Sequence, residues 1–183
     1  MPSLAGKLLV ASPDLDDPNF KQTVVLVADH DDEGAFGLVL NRPSTVMLKA
    51  AWEQWTEEAC SIDSPLLVGG PVRGPLSALH RDPTLSEHEV IPGVYIARDR
   101  DLLAALVAGE AQPLRVFAGY SGWGPDQLEA ELDTGSWSIT AATHDFVFGD
   151  ASTLWDRVTR HIADERLLSW LRVRHPPARP EEN

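Results

Sequence analysis

The sequence predicts an α+β fold: a mixed, largely antiparallel β-sheet with helices packed against it, in one domain over residues 1–173. Three observations predict it. Short runs rich in Val and Leu are punctuated throughout by Gly, Pro, Asn and Asp. The strands read this way outnumber the helices that a fully parallel sheet would need for its crossovers. A chain of 183 residues, 43% hydrophobic and 23% charged, has the size and composition of a single globular core.

Lys7 to Ala11, Thr23 to Ala28 and Gly37 to Leu40 are apolar runs suited to strands buried on both faces. Between the last two, His30-Asp31-Asp32-Glu33-Gly34 fits a tight hairpin connection, so these strands are expected to be antiparallel neighbours. Leu48, Ala51, Trp52, Trp55 and Ala59 recur at helical spacing opposite Glu53, Gln54, Glu57 and Glu58, which predicts a helix over about 47–60. Leu66-Leu67-Val68 reads as a strand ended by Gly69-Gly70-Pro71, with short strands to follow near 76–80 and 93–97.

Leu102, Leu103, Leu106 and Val107 predict a helix over 100–108 that stops at Gly109. Leu114 to Ala118 is the next strand, followed by a glycine-rich turn at 119–124 and a short acidic helix with Pro125 at its first position and Gly135 past its end. Ser136-Trp137-Ser138-Ile139-Thr140 alternates strictly, which predicts a strand that buries Trp137 and Ile139 and turns its hydroxyls to water. Leu154, Trp155, Val158 and Ile162, then Leu167, Leu168 and Leu171, predict two consecutive C-terminal helices. Residues 174–183 hold three prolines and little to bury, and read as a flexible tail.

The formal charge is −13, and neither half of the chain is basic. Nucleic-acid affinity rests largely on Lys and Arg neutralising phosphates, so direct nucleic-acid binding is not expected. Cys60 is the only cysteine, which leaves no intrachain disulfide and no cysteine metal cluster. The N-terminus lacks the basic and apolar segments of a signal peptide, and no apolar run approaches membrane-spanning length. The expectation is a cytoplasmic protein without a membrane segment.

Gly119-Tyr120-Ser121-Gly122-Trp123 follows a strand and precedes a helix, the setting of a hydrolase nucleophile. The elbow pattern G-x-S-x-G, however, meets Trp123 where its last glycine belongs. His144, Asp145, Asp156 and His161 lie downstream in a permissible order, yet a chain with six histidines supplies such partners by chance. The alternative is a structural role for these glycines, letting Tyr120 and Trp123 pack. Asn41-Arg42-Pro43 and Gly69-Gly70-Pro71 also end apolar strands, and ligands gather beyond strand ends in open sheets. If the loops converge, Arg42 offers a bidentate fork for an anion.

His30 with Asp29, Asp31 and Asp32 reads as an exposed acidic turn rather than a metal site. Cys60 has no basic neighbour to activate it. Trp52, Trp55, Trp155 and Trp170 fall on helix faces, as packing residues. The candidate binding surface is therefore Asn41, Arg42, Gly69, Gly70, Tyr120, Ser121, Gly122 and Trp123, with no catalytic residue, metal or cofactor assigned.

Taken together, L-x-x-S-P-x-L-x-D-P-x-F-x-x-T-V-V from Leu9 to Val25, G-L-V-L-N-R-P from Gly37 to Pro43, G-G-P-V at 69–72 and G-Y-S-G-W-x-x-x-Q-L-E-x-E-L from Gly119 to Leu132 resemble the bacterial YqgE/AlgH family. The likeness runs in order over about 5 to 160, with departures mainly in the C-terminal helices and the Pro-rich tail. The resemblance implies a cytosolic bacterial protein with a compact fold of mixed strands and helices and no established enzymatic activity. Members often carry a transcriptional-regulator label, which sits badly with the charge and with the lack of a basic recognition helix. An indirect regulatory role, through a protein or a small anionic ligand, fits these residues better; the competing reading is a small serine hydrolase using Ser121.

Overall fold

The computed structural model describes residues 3–56, 59–109 and 111–174, the last three by backbone alone. Apart from Arg174, the tail of the sequence reading lies outside the described residues, as do Glu57 and Glu58 of the first helix.

Strand β1 (Lys7–Ala11) leads through a long loop into a hairpin of β2 (Val24–Asp31) and β3 (Gly34–Val39). The β2 run Val-Val-Leu-Val-Ala is buried throughout, one face on each side of the sheet, which is why its pattern does not alternate. The hairpin turns on Asp32-Glu33, with Asp31 Oδ1 accepting from the Glu33 N–H. A short edge strand β4 (Pro43–Met47), helix α1 (Leu48–Thr56) and β5 (Pro65–Val68) follow. Then come β6 (Val72–His80), β7 (His88–Ile91), β8 (Val94–Ala97) and helix α2 (Arg100–Ala108). Asp99 caps α2 by accepting from the Asp101 and Leu102 N–H groups, and Gly109 ends it as expected. The chain closes with β9 (Arg115–Trp123), α3 (Gln127–Asp133), β10 (Trp137–Ala141), α4 (His144–Phe148) and α5 (Leu154–Arg174).

These strands form one curled ten-stranded sheet in the order β10-β1-β2-β3-β9-β6-β8-β7, with β5 beside β9 and β4 beside β5. Among the described residues every pairing is antiparallel except β5 with β9. The α+β class of the sequence reading is therefore observed. The inner face of the curl holds Leu8, Leu26, Leu38, Leu79, Ile96 and Phe117, closed over by Val147 of α4 and by Leu154 and Val158 of α5. On the outer face α1 and α2 cover β5, β6 and β8, while α3 covers β2 and β3. Among the described residues no helix is long and apolar enough to cross a membrane.

Several elements differ from the sequence reading. β4 and β7 were not foreseen; β4 is almost entirely exposed, so no apolar pattern marks it. The strand at 114–118 continues to Trp123, and 119–124 is no turn: Gly119, at φ +71°, bends β9 so that it exchanges β5 for β3 as its neighbour. Helix α3 begins at Gln127, so Pro125 precedes it and Asp126 is its left-handed N-cap. In β10, Trp137 is buried but Ile139 is 40% exposed and Thr140 is buried. The hydroxyl face meets α5, where Glu165 accepts from Thr140 and Arg166 donates to Ser138. The two C-terminal helices are one, α5, whose far part carries exposed Leu167, Leu168, Trp170 and Leu171.

His80, at the end of β6, is fully buried; its Nδ1 accepts the Asp82 N–H and its Nε2 has no partner among the described residues. A ring whose Nδ1 accepts is neutral, and burial lowers its pKa from the ordinary value, with Asp82 opposing. The unfolded chain thus binds the extra proton first, so the stability tied to neutral His80 is complete above about pH 6.5 and is lost as pH falls from there toward the folded value. Urea melts of the wild type and His80→Leu should show a stability difference that is flat at alkaline pH and turns against the wild type on acidification. A pH-independent difference would contradict this account.

Candidate functional site

The glycine motifs meet where the chain crosses itself. β5 and β6 flank β9 on opposite sides, so the Gly69-Gly70-Pro71 link must pass across the β9 backbone. It does so at Gly119-Tyr120. A Cβ on Gly69 would stand 2.3 Å from the Gly119 carbonyl oxygen, and one on Gly70 2.3 Å from the Tyr120 carbonyl carbon. At that crossing Gly69 donates its N–H to the Ala118 carbonyl, while its own carbonyl accepts from the Val39 N–H at 2.8 Å and from the Ser121 hydroxyl at 3.2 Å. Ser121 is fully buried. No histidine hydrogen-bonds it among the described residues: His144 meets the Pro92 carbonyl and His161 meets Glu165.

The aromatic residues of the motif diverge. Trp123 is buried on the outer face, donating its indole N–H to Glu131, and packs edge-on to Trp137. Tyr120 is half-buried and stacks on Phe36 at 5.0 Å, its ring close over Gly74 and Gly122. Arg98 lies over the Phe36 ring at 5.1 Å from its centroid, tied to Glu87 and Asp29. Burial would raise the Glu87 pKa, but its hydrogen bonds from Arg98 and Asp99 hold it below the ordinary value. His88 Nε2 lies 3.1 Å from Asp29 Oδ1 without the alignment of a hydrogen bond.

The remaining candidates sit where β3 stops and β4 starts, toward the end of the sheet at which β5 and β9 begin. Asn41 stitches that corner, accepting from the Val24 N–H and donating to the Gln22 carbonyl. The Arg42 carbonyl binds the Val68 N–H beside the crossing, while its guanidinium turns the other way, to the carbonyls of Pro18 and Lys21. The structure therefore brings Gly69, Gly70 and Ser121 together, leaves Arg42 at the groove beyond, and sends Trp123 into the outer core.

That groove holds a residue the sequence reading passed over. Arg115 opens β9, donating to the carbonyls of Leu40 and Gly149. Burial lowers its pKa from the ordinary value, with Asp150 opposing. It lines a cleft of about 190 Å³ with Pro43, Ser64, Pro65, Leu67, Leu114 and Ala151. The cleft adjoins, through Pro43 and Ala151, a wider one of about 460 Å³ that contains Lys21, Arg42 and Trp155. The signal for Arg115 was present: a cation set between Leu114 and Val116 at the head of an apolar strand.

His30 is not the exposed turn residue expected. Its imidazole is nearly buried, Nδ1 accepting from the Leu4 N–H and Nε2 3.1 Å from Glu129. Cys60 is buried, and no group of ligating side chains suited to a metal occurs among the described residues.

The family model for the AlgH-like proteins of DUF179 matches residues 8–166. The chain belongs to the AlgH-like family. UPF0301 proteins from Chlorobium luteolum and Myxococcus xanthus are 39% and 40% identical to it, over 90% and 87% of this chain and 88% and 91% of theirs. Among solved structures, the solution structure of the AlgH protein from Pseudomonas aeruginosa matches with a TM-score of 0.74 and 30% identity, covering 97% of this chain and 95% of that one. A Corynebacterium diphtheriae protein, 24% identical with a TM-score of 0.72, shares the fold, covering 88% of this chain and 87% of that one. In this AlgH-like chain, the resemblance drawn from G-G-P-V and G-Y-S-G-W thus rests on residues that build the strand crossing.

Proposed function

We propose that this AlgH-like chain is a binding or regulatory module that works through a small anionic ligand or an acidic partner held in the groove at the β3–β9 end of the sheet. One observation carries the reading. Arg42 and Arg115 both face the groove, both donate to backbone carbonyls, and neither has a carboxylate at ion-pair distance among the described residues. In a chain of net charge −13 such guanidiniums keep donors free for an incoming anion. The wider cleft also holds Asp156, which sets a repulsive limit on how far an anion extends along it. The regulatory label of the family enters this reading as control through a bound partner, not as DNA contact.

The hydrolase alternative asks a buried serine, bonded to a carbonyl, to act as a nucleophile with no histidine bonded to it among the described residues. A panel of organic and inorganic anions titrated into the labelled protein tests both readings. The expected result is saturable amide shifts confined to residues 40–42, 114–115 and 149–156. They should be lost in Arg42→Ala or Arg115→Met and kept in Ser121→Ala, which should lower stability by about 1 kcal/mol, the size of one ordinary hydrogen bond. Shifts elsewhere, or labelling of Ser121 by a fluorophosphonate, would overturn the proposal.

A further inference from the structure

The two clefts of the groove differ in chemistry. The wider one is lined mostly by polar groups: Lys21, Gln22, Asn41, Arg42, Ser152 and Asp156. Among the described residues the narrower one has a single charged side chain, Arg115, at the edge of an apolar wall made by Pro43, Pro65, Leu67 and Leu114. A guanidinium is a planar fork, always charged, that matches the two oxygens of a carboxylate. With two of its five N–H donors on the Leu40 and Gly149 carbonyls, three remain. Asp150 acts on Arg115 only at longer range, and its carboxylate is bonded to the Ser152 N–H and hydroxyl.

Size and lining then select the ligand. A dry cavity of about 150 Å³ accepts a benzene ring, so 190 Å³ holds a ring or short branched chain and little more. A strongly hydrated phosphate dianion would lose its water against four apolar side chains with one cation to answer it. A monocarboxylate with a compact apolar body satisfies both walls. Resting on the groove reading above, we infer that the narrow cleft is a subsite for a small aromatic or branched aliphatic monocarboxylate, its carboxylate on Arg115 and its body against Pro43, Pro65, Leu67 and Leu114.

The test uses the full chain, labelled at its backbone amides and at the methyls of Leu and Ala, titrated separately with benzoate, benzamide and inorganic phosphate. Benzoate should shift the methyls of Leu67, Leu114 and Ala151 saturably. Benzamide, which keeps the ring and removes the charge, should bind at least tenfold more weakly. Arg115→Met should abolish benzoate binding. Because Arg115 also holds two carbonyls, Ala151→Leu serves as the second variant: it narrows the cleft, leaves the guanidinium in place, and should weaken benzoate tenfold or more. Equal binding of benzoate and benzamide would overturn the assignment, and so would benzoate binding unaffected by Ala151→Leu. If phosphate moves signals of Arg42 and Trp155 while benzoate moves none, this subsite is refuted and the groove reading survives; if no anion in the wider panel moves any signal in the groove, both fall.

Discussion

Gly70→Ala is expected to prevent the protein from folding. A Cβ at this position would lie 2.3 Å from the carbonyl carbon and oxygen of Tyr120 and 2.4 Å from the Ser121 nitrogen. These are backbone atoms of a central strand, and they have no rotamer by which to retreat. The crossing must therefore open, which frees the Gly69 carbonyl from Val39 and Ser121 and unseats β5 from β9. A cost above about 4 kcal/mol is of the size that disables a domain whose whole stability is about 5–15 kcal/mol. Gly119→Ala should behave similarly, since it adds a left-handed φ of +71° to a 2.7 Å approach to the Val72 carbonyl oxygen.

Two controls separate crowding from loss of glycine as such. Gly135 has φ +76° and open space, so alanine there should cost only the left-handed strain of about 1–2 kcal/mol. Gly124 has neither strain nor a close neighbour, and Gly124→Ala should be nearly neutral. Soluble yield and urea midpoints across the four variants check the ranking. A folded Gly70→Ala protein with a midpoint near that of Gly124→Ala would refute the crossing as the reason for the motif.

Much of the fold was legible because burial writes itself into composition. β2, doubly covered, reads as Val-Val-Leu-Val-Ala, and α2 shows its cap, its apolar stripe and its terminal glycine in order. What was illegible depends on distant pairing. Residues 119–124 read as a turn because nothing local says that β5 and β3 take successive positions along the same strand. The alternation in β10 was visible, but the period states only that two faces differ; it could not say that α5 covers Ser138 and Thr140 and leaves Ile139 to solvent. The candidate site followed the same rule. Arg42 announced itself by punctuation, whereas Arg115 gains its setting from Leu40 and Gly149, 75 and 34 residues away. Trp123 could be read as part of a binding surface or as a packing residue, and only α3, which supplies the carboxylate that receives its N–H, decides between them.

That carboxylate supports the second large effect. Glu131 Oε2 accepts from the indole N–H of Trp123 at 3.0 Å and of Trp137 at 2.8 Å, while Oε1 accepts from Gln127 at 3.0 Å. Both indoles are 5% exposed and pack edge-to-face with centroids 6.3 Å apart, and Phe20 closes the cluster from the side. One acidic side chain thus satisfies the two polar atoms of an apolar cluster that joins β9, β10 and α3. Glu131→Ala leaves both N–H groups without an acceptor where water enters poorly. At about 1–3 kcal/mol for each orphaned donor, the expected loss is about 3 kcal/mol. Glu131→Gln keeps an oxygen that can turn toward the indoles and gives up only the charge, so its loss should be about 1 kcal/mol. In a Trp137→Phe background one of the two donors is already absent, and Glu131→Ala should then cost about 1 kcal/mol less than in the wild type, a coupling that a double-mutant cycle in urea reads directly. Equal losses for Glu131→Ala and Glu131→Gln, with no coupling to Trp137, would mean that the carboxylate packs against the cluster without holding it.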